Sequence, residues 1–226
     1  MDNTVGSLRQ SAISSREKEI ILGTILGDAH LSMLKFNARL ELGHSETQKA
    51  YVFWKYQELK KFTGTKPVQF ENFDQRAQKT YVQWRFKTKT HTYFTELWKL
   101  FYKGKRKIVP SKIVSLLTSP LTLAVWYMDD GGRRNDCYGV FLNTLSFTKR
   151  ENEILAECLQ RNFSLNPRIH WIQDGYRLYI PSRDAQKFSA LVDPYLLDLM
   201  KYKLPYNPVT TSFARLNRAR DRVNAL

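Results

Sequence analysis

The chain has 226 residues, of which 36 are Lys or Arg and 21 are Asp or Glu, so its formal net charge at neutral pH is +15. Its composition, 42% apolar and 13% aromatic, excludes an intrinsically disordered chain, and a protein of this length hides roughly 70–75% of its unfolded surface. The two cysteines are too few for a disulfide framework and no apolar run approaches the ~20 residues that span a bilayer, so we expect a reduced, intracellular protein of the cytoplasm, nucleoid or an organelle matrix, not secreted.

The first half of the chain predicts the order helix, strand pair, helix, strand pair, helix. Ser14 and Glu17 have the spacing of an N-terminal capping box, and the apolar run that follows predicts a helix that ends near Gly27. The other predicted elements are two short strands in His30–His44, a helix from a second capping box at Ser45 and Gln48 to about Phe62, strands over Pro67–Phe73 and Thr80–Lys89, and a helix over His91–Tyr102.

The second half repeats this plan after about 102 residues. Ser119 is a suitable N-cap followed by proline at the first helical position, which predicts a helix through Leu121–Met128 that ends at Gly131. The duplicated plan indicates an α+β fold with pseudo-twofold character. The remaining predicted elements are a strand in Tyr138–Phe147, a helix from the Thr148 and Glu151 capping box to Phe163, a strand pair in Arg168–Ile180 and a helix over Ser182–Leu197.

The positive charge is concentrated between Leu59 and Lys112. This segment contains fourteen basic and three acidic residues, which give a net charge of +11. Such a segment attracts polyanions through electrostatic steering and counterion release. Within it, the alternation in Thr80–Lys87 predicts a packed face carrying Thr80, Val82, Trp84 and Phe86, and an outer face suited to base edges and phosphates. The predicted nucleic-acid contacts are Tyr81, Gln83, Arg85 and Lys87, with Arg168, His170 and Arg177 as counterparts in the second half.

Each of the two apolar helices is followed by an aspartate, Asp28 or Asp130. The last turn of a helix carries partial negative charge, so a carboxylate there costs about 0.3–1 kcal/mol and implies a positive partner nearby. Mg²⁺ suits carboxylate oxygens and free helix carbonyls, and a bound metal polarises a phosphodiester and activates water. Gly23 and Gly27 form a stripe of small residues that favours close packing of the two helices and thus brings the aspartates together. Alternatively, each aspartate only hydrogen-bonds the next turn and Gly27 is a helix C-cap.

Two nine-residue segments, ILGTILGDA (Ile21–Ala29) and LAVWYMDDG (Leu123–Gly131), resemble the paired signatures of the single-chain LAGLIDADG homing endonucleases. The resemblance covers about residues 16–208. It implies a pseudo-twofold duplicated αββαββα fold, in which the signature helices pack at the centre of a saddle-shaped monomer. It also implies that two antiparallel four-stranded sheets lie in the major groove of double-stranded DNA. The chain then divides into a polar segment 1–15, halves 16–112 and 113–208, and a basic extension 209–226.

The same resemblance implies that Asp28 and Asp130 bind the catalytic metal ions, Mg²⁺ with Mn²⁺ or Ca²⁺ able to occupy the same sites. The neighbouring Gly27 and Asp129 complete the predicted metal-binding set, and Asp129 stands where the motif usually has a small residue. Lys107 and Lys203 resemble the active-site lysines of the family, which stabilise developing negative charge or organise the water. The alternative for each lysine is a phosphate-positioning or simply exposed role. Supporting polar residues are expected at Glu41, His44, Asn143 and Ser146.

The sequence therefore predicts a monomeric, intron-encoded DNA endonuclease that makes a metal-dependent double-strand break in a long asymmetric target. As the resemblance implies, it cuts across the minor groove and leaves short 3′ overhangs. The first alternative is an RNA maturase that uses the same scaffold to assist splicing of its host group I intron. The second is a DNA-binding regulator without cleavage, against which the presence of both aspartates and both lysines speaks.

The basic extension, residues 209–226, lies beyond the resemblance. It predicts a short amphipathic helix that makes an extra phosphate contact. An acidic membrane surface is the alternative partner for the basic chain, and only this extension supplies the basic amphipathic helix that it needs. Its predicted inward residues are Phe213, Leu216 and Val223, and its outward residues are Arg215, Arg218 and Arg222.

Overall fold

The computed structural model describes residues 12–173 and 175–205, in which two halves share one order of helices and strands. The predicted α+β class and its duplicated plan are confirmed. The first half contains α1 (Ser15–Leu26), β1 (His30–Met33), β2 (Ala38–Ser45), α2 (Lys49–Glu58), β3 (Val68–Asp74), β4 (Lys79–Lys87) and α3 (Thr92–Phe101). A hairpin of β5 (Tyr102–Lys103) and β6 (Arg106–Lys107) and the single turn α4 (Ile113–Leu116) follow. The second half contains α5 (Pro120–Asp130), β7 (Gly131–Arg133), β8 (Val140–Leu142), α6 (Lys149–Phe163), β9 (Arg168–Ile172), β10 (Gly175–Ile180) and α7 (Ser182–Val192).

The two four-stranded sheets are antiparallel and have matching strand orders, β1-β2-β4-β3 and β7-β8-β10-β9. Strand β2 shows why one face of the first sheet packs inward: its residues alternate between buried and half-buried, with Leu40 and Leu42 among the buried ones. Helices cover that inner face, so the opposite face of each sheet is left for a partner.

Three boundaries differ from the sequence prediction for local physical reasons. Ser45 makes no capping bond because its hydroxyl pairs with that of Thr47 at 2.8 Å, and α2 begins only at Lys49, after a 3-10 turn. The helix ends at Gly131 as predicted, but Gly131 and Gly132 also form strand β7, which the sequence did not predict, since pairing with β8 determines their conformation. The predicted last helix stops at Val192, because Pro194 opens a separate 3-10 turn.

The core of the molecule is the packing of α1 against α5, the two predicted signature helices. Both begin at side-chain caps, Ser14 in a capping box with Glu17 and Ser119 before Pro120, as the sequence predicts. Ile20–Leu26 of α1 and Leu121–Met128 of α5 are buried throughout, because these segments are apolar on nearly every side. The fully buried residues among them include Ile20, Ile21, Ile25, Trp126 and Tyr127.

Gly23 is a point of close approach between these helices. A β-carbon there would lie 2.6 Å from the carbonyl oxygen of Thr122 and 2.7 Å from Cβ of Val125. We therefore expect Gly23→Ala to lower the free energy of unfolding by about 1–3 kcal/mol, because crowding at the helix contact outweighs the higher helix propensity of alanine. Thermal denaturation measures this change. Gly132→Ala is the matched control, because a β-carbon at that position meets no atom within 4 Å. Equal stability of the two variants would contradict this close helix packing.

The described residues include no helix that is long and apolar enough to cross a bilayer. The predicted amphipathic helix of residues 209–226, with its inward apolar and outward arginine side chains, lies outside the described residues. Most of the predicted polar segment 1–15 lies outside them as well.

Candidate active site and nucleic-acid interface

The C-terminal ends of α1 and α5 meet, and this contact brings the predicted carboxylates together. Gly27 faces Asp129 so closely that a β-carbon on the glycine would overlap the aspartate side chain. The backbone N–H of Asp28 donates to Oδ2 of Asp129 across the helix pair at 3.3 Å. Asp130 follows Asp129 directly in the chain, and the charge of Asp28 is one cause that raises the pKa of Asp130, so the helix contact places both predicted carboxylates in one site.

Burial disfavours the charged form of the carboxylates in this site. Burial and, as the next causes, the charges of Asp28 and Asp129 together raise the pKa of Asp130 to about 8. Burial also raises the pKa of Asp28, with repulsion from Asp129 as the next cause, although the Asp28 side chain keeps 40% of its surface exposed. Nearby lysine ammonium groups oppose these shifts only in part. Among the described residues, ligand atoms of Asp28, His44 and Asp129 lie within 4.8 Å of one another and could hold a metal ion, and the role of Asp130 as a further ligand stays a prediction.

Lys107 caps the end of α1. The β5–β6 hairpin places its ammonium group so that all three donors bind carbonyl oxygens, those of Ile25 at 2.9 Å, Gly27 at 2.8 Å and Ala29 at 2.9 Å. Burial lowers the pKa of Lys107, and the three nearby carboxylates oppose this shift. The positive partner that the helix-end argument requires for Asp28 is therefore, in part, this lysine.

Lys203 does the same at the end of α5. It comes from the 3-10 helix Asp198–Lys203 and donates to the carbonyl oxygens of Met128 at 2.5 Å and Asp129 at 3.1 Å. Burial lowers the pKa of Lys203, and attraction by Asp129 opposes this shift. The two lysines that the resemblance selected thus occupy matching positions in the two halves. Each one also binds a carbonyl of the predicted metal set, that of Gly27 or that of Asp129.

Asp129 is tied to the first half by a buried ion pair. Both its side chain and that of Lys55 are completely buried, and the ammonium nitrogen lies 2.6 Å and 2.9 Å from the two carboxylate oxygens. The Tyr51 hydroxyl donates to the same carboxylate at 2.7 Å. Sequence reasoning missed Lys55 and Tyr51, both on α2. The available signal was a lysine on the apolar stripe of α2, four residues after Tyr51.

Two of the expected supporting residues lie next to Asp28. His44 is buried on β2, and its Nδ1 is 3.3 Å from Oδ2 of Asp28. Burial lowers the pKa of His44 to about 4, with repulsion by Lys55 as the second cause, so the imidazole is neutral at physiological pH. Glu41 pairs with Arg39 at 2.7 Å and lines the groove that also contains Asp28.

The supporting residues expected in the second half are less closely involved. Asn143 donates its backbone N–H to the carbonyl oxygen of Asp130 at 3.0 Å, while the residue is exposed. Ser146 is exposed in the turn before α6, and the described part of the chain shows no hydrogen bond between its side chain and the carboxylates. A role for either residue stays a prediction.

The outer face of the first sheet leads into this site. A groove of about 450 Å³ connects Asp28 and Glu41 with Gln83, Arg85 and Lys87 on β4. The Arg85 guanidinium stacks on the Phe70 ring, 4.2 Å from its centroid, and donates to Gln83. Thr80 was predicted on the packed face but is exposed, because the β3–β4 hairpin projects past the helices and nearly all of β3 is exposed. Tyr81 near the hairpin tip is 42% exposed.

The second sheet presents the corresponding face. Its register pairs Arg177 with His170 and Tyr179 with Arg168, which places the three predicted residues on one face. Arg134, which sequence reasoning missed, lies over the Tyr179 ring at 5.5 Å, and the basic run after Gly131-Gly132 was its only signal. Guanidinium groups stacked on aromatic rings are suited to phosphates and bases. Contact of these residues with nucleic acid stays a prediction.

The raised carboxylate pKa values predict how the metal-free protein responds to pH. The folded state holds a proton on Asp130 up to about pH 8, whereas the unfolded state releases it near the ordinary value of 3.8. The stabilisation is therefore complete below that ordinary value and is lost as the pH rises through 8. The lowered pKa of His44 has the opposite effect on stability, but this effect acts only below the ordinary histidine value of 6.5. We expect the midpoint temperature of thermal unfolding to decrease when the pH is raised from about 7 to about 8.5. A divalent cation should reverse this decrease.

Asp130→Asn is the control for this pH series, since asparagine does not titrate. Its thermal midpoint should depend less on pH over the same range and should respond less to the cation. A wild-type protein whose stability rises through this range would contradict the raised pKa of Asp130.

Comparisons with known proteins agree with this geometry. Residues 18–188 match the family model described as the LAGLIDADG DNA endonuclease family. A probable intron-encoded endonuclease of Wickerhamomyces canadensis is 31% identical over 202 residues, which cover 87% of each chain. A cytochrome b mRNA maturase, bI2 of Debaryomyces hansenii, is 34% identical over 122 residues, 53% of this chain and 45% of the maturase. The solved structure of the homing endonuclease I-WcaI bound to its DNA recognition sequence is similar with a TM-score of 0.81 and 30% identity, covering 87% of this chain and 89% of that one.

Proposed function

Because the chain belongs to the LAGLIDADG DNA endonuclease family, we propose that it is a site-specific homing endonuclease that makes a double-strand break in DNA. It acts as a monomer, since one copy carries a signature helix and a carboxylate in each half. It hydrolyses one phosphodiester in each strand of a long asymmetric target, across the minor groove, and leaves short 3′ overhangs.

This proposal is supported by the close contact between the two helix ends that carry Asp28 and Asp130, where Gly27 packs against Asp129 and the Asp28 N–H donates to Asp129. Asp28 and Asp130 hold Mg²⁺, and Mn²⁺ or Ca²⁺ can take the same positions. When bound, the metal polarises the scissile phosphodiester and lowers the pKa of a bound water. A bound cation stabilises the charged form of the two carboxylates. Without a cation, their raised pKa values favour the protonated form.

The other residues of the site act on charge and position. Lys107 and Lys203 neutralise the helix ends next to the carboxylates, and their ammonium groups stabilise the negative charge that develops on phosphate oxygens. The outer faces of the two sheets hold the target, with phosphate contacts setting position and base-edge contacts setting sequence preference. The residues proposed to reach the DNA include Arg85 and Lys87 on β4 and Arg168 and Arg177 in the second sheet.

Cleavage of a plasmid library with randomised inserts tests the function directly. With Mg²⁺, the protein should linearise a small subset of plasmids, whose ends are captured by adaptors that ligate to 3′ overhangs. A single recovered plasmid should then be linearised with Mg²⁺ and remain intact with EDTA. Cleavage that continues in EDTA would contradict metal dependence, and a library in which no plasmid is cut would contradict the endonuclease proposal.

The similarity to the Debaryomyces hansenii maturase favours one second candidate, an RNA maturase that assists splicing of its host intron. An intron transcript incubated with and without the protein separates the two functions. Protein-dependent excision of the intron, together with an uncut plasmid library, would favour the maturase. Cleavage of DNA without any effect on splicing favours the endonuclease.

A further inference from the structure

We propose that Lys55 and Asp129 form a buried positioning pair that holds the catalytic carboxylate of the first half, Asp28, a pair that has no counterpart among the described residues of the second half. This inference rests on the proposed endonuclease function. Its consequence is an asymmetric enzyme, in which loss of the pair slows cleavage of one DNA strand much more than that of the other.

Lys55 uses all of its donors inside the protein. An ammonium group has three N–H donors and no acceptor. Two donors bind Oδ1 and Oδ2 of Asp129 at 2.6 Å and 2.9 Å, and the third points to Nε2 of His44 at 3.4 Å. No part of the Lys55 side chain is exposed, so solvent and DNA cannot replace these partners. Lys55 is therefore a fixed element of the site and not a DNA contact.

Asp129 is fully used as an acceptor. Besides Lys55, it accepts from the hydroxyl of Tyr51 at 2.7 Å and from the backbone N–H of Asp28 at 3.3 Å. Its carboxylate has no exposed surface, whereas that of Asp28 is 40% exposed. A carboxylate whose charge is already matched by a buried ammonium group gains little from a second cation. The Asp129 side chain is thus the counter-ion of Lys55, and a metal-ligand role passes to the neighbouring carboxylates.

The pair acts on Asp28 from two directions. The backbone of Asp28 is held by its N–H bond to Asp129. Its carboxylate faces Nδ1 of His44 at 3.3 Å, while Nε2 of the same ring faces the Lys55 ammonium. Because an ammonium group can only donate, the Nε2 that faces Lys55 is the acceptor and the ring proton lies on Nδ1, toward Asp28. Lys55 at Nε2 and Asp28 at Nδ1 therefore favour the same tautomer of His44, and the ring, held by Lys55, fixes the orientation of the carboxylate.

The described residues of the second half show no equivalent arrangement. The residue before Asp28 is Gly27, which has no side chain and leaves the space that Asp129 fills. The residues that α6 buries in the second half are Glu151, Asn152, Leu155, Cys158, Leu159 and Phe163, and these include no lysine. Removal of the pair should thus affect the Asp28 site and leave the Asp130 site largely intact.

The test is the double variant Lys55→Gln with Asp129→Asn, which keeps the size of both side chains and removes both charges. Two substrates are used. The plasmid recovered from the library shows nicking, and a duplex of its target with a different label on each strand gives the cleavage rate of each strand. We expect one strand to be cut about 10–100-fold more slowly than by the wild type, so that nicked plasmid accumulates. DNA affinity measured in Ca²⁺ should remain at the wild-type level. Equal slowing of both strands would overturn the proposal.

The matched control removes an exposed ion pair, Arg16→Gln with Glu58→Gln, and should cut both strands at the wild-type ratio. Folding is checked with the single variant Lys55→Met, which leaves a buried carboxylate unpaired. Its thermal midpoint should lie below that of the double variant, because a lone buried charge costs more than a missing pair. A single variant as stable as the double one would contradict the buried pair.

A readout without metal or DNA comes from ¹⁵N NMR of the imidazole ring. In the metal-free wild type, the His44 signals should report a proton on Nδ1, and in the double variant the two tautomers should mix. Wild-type ring signals in the double variant would overturn the proposed action of Lys55 on His44. If the wild type cuts no DNA, the proposed function fails while this measurement still decides the positioning of His44. If the wild type cuts and the strand ratio stays unchanged, only the positioning pair fails.

Discussion

Replacing Asp28 or Asp130 by asparagine is expected to reduce double-strand cleavage by about 10⁴-fold, the scale for one member of a cooperating catalytic group. Asparagine keeps the size of the side chain and removes the anionic ligand that a divalent ion prefers. DNA affinity should stay the same or increase slightly, because a negative charge that faces the phosphates is lost. Linearisation of the target plasmid in Mg²⁺ and binding of the labelled duplex in Ca²⁺ measure the two effects.

Asp198→Asn is the control for these variants. Its carboxylate is 99% exposed and makes only a surface contact with Lys201, so removal of the same charge should leave cleavage unchanged. If both Asp28→Asn and Asp130→Asn cut at the wild-type rate, their assignment as metal ligands is wrong.

The second large effect is expected for Lys203→Met, with Lys107→Met as its counterpart in the first half. In the wild type, each ammonium group binds the carbonyls of a helix end, and its charge lowers the pKa of Asp28 and Asp130. Each substitution removes both effects. We expect cleavage to fall about 10²–10³-fold, the range for loss of one charge-stabilising donor. The remaining activity should require a higher pH, since the carboxylates release their protons later. Cleavage rates measured across a pH series separate the two consequences.

Lys201→Met changes the net charge by the same amount at an exposed position two residues from Lys203. It should keep the pH profile of the wild type and lose only the small part of DNA affinity that one exposed charge supplies. A Lys203→Met variant with reduced activity but an unshifted pH profile would mean that the lysine acts on the phosphate alone and not on the carboxylates.

The elements that sequence reasoning predicted well are those determined by neighbours in the chain. The capping boxes at Ser14 and Thr148 form as predicted, because each joins residues only three apart. The similar spacing at Ser45 and Gln48 predicted a third box, which the Thr47 hydroxyl prevents. Strand β7 was missed because two glycines carry no strand signal, and its conformation comes from pairing with β8.

The sequence by itself determined the duplicated α+β plan, the basic sheet faces and the two helices that end in Asp28 and Asp130, because period, capping and charge are local properties. Only the tertiary structure decided what surrounds those carboxylates. Lys55 reaches Asp129 across 74 residues, and Lys107 reaches Gly27 across 80. Periodicity marks which face of a helix is buried but not the partner it meets. The charge balance of the site therefore depends on packing between the halves, which the folded chain alone determines.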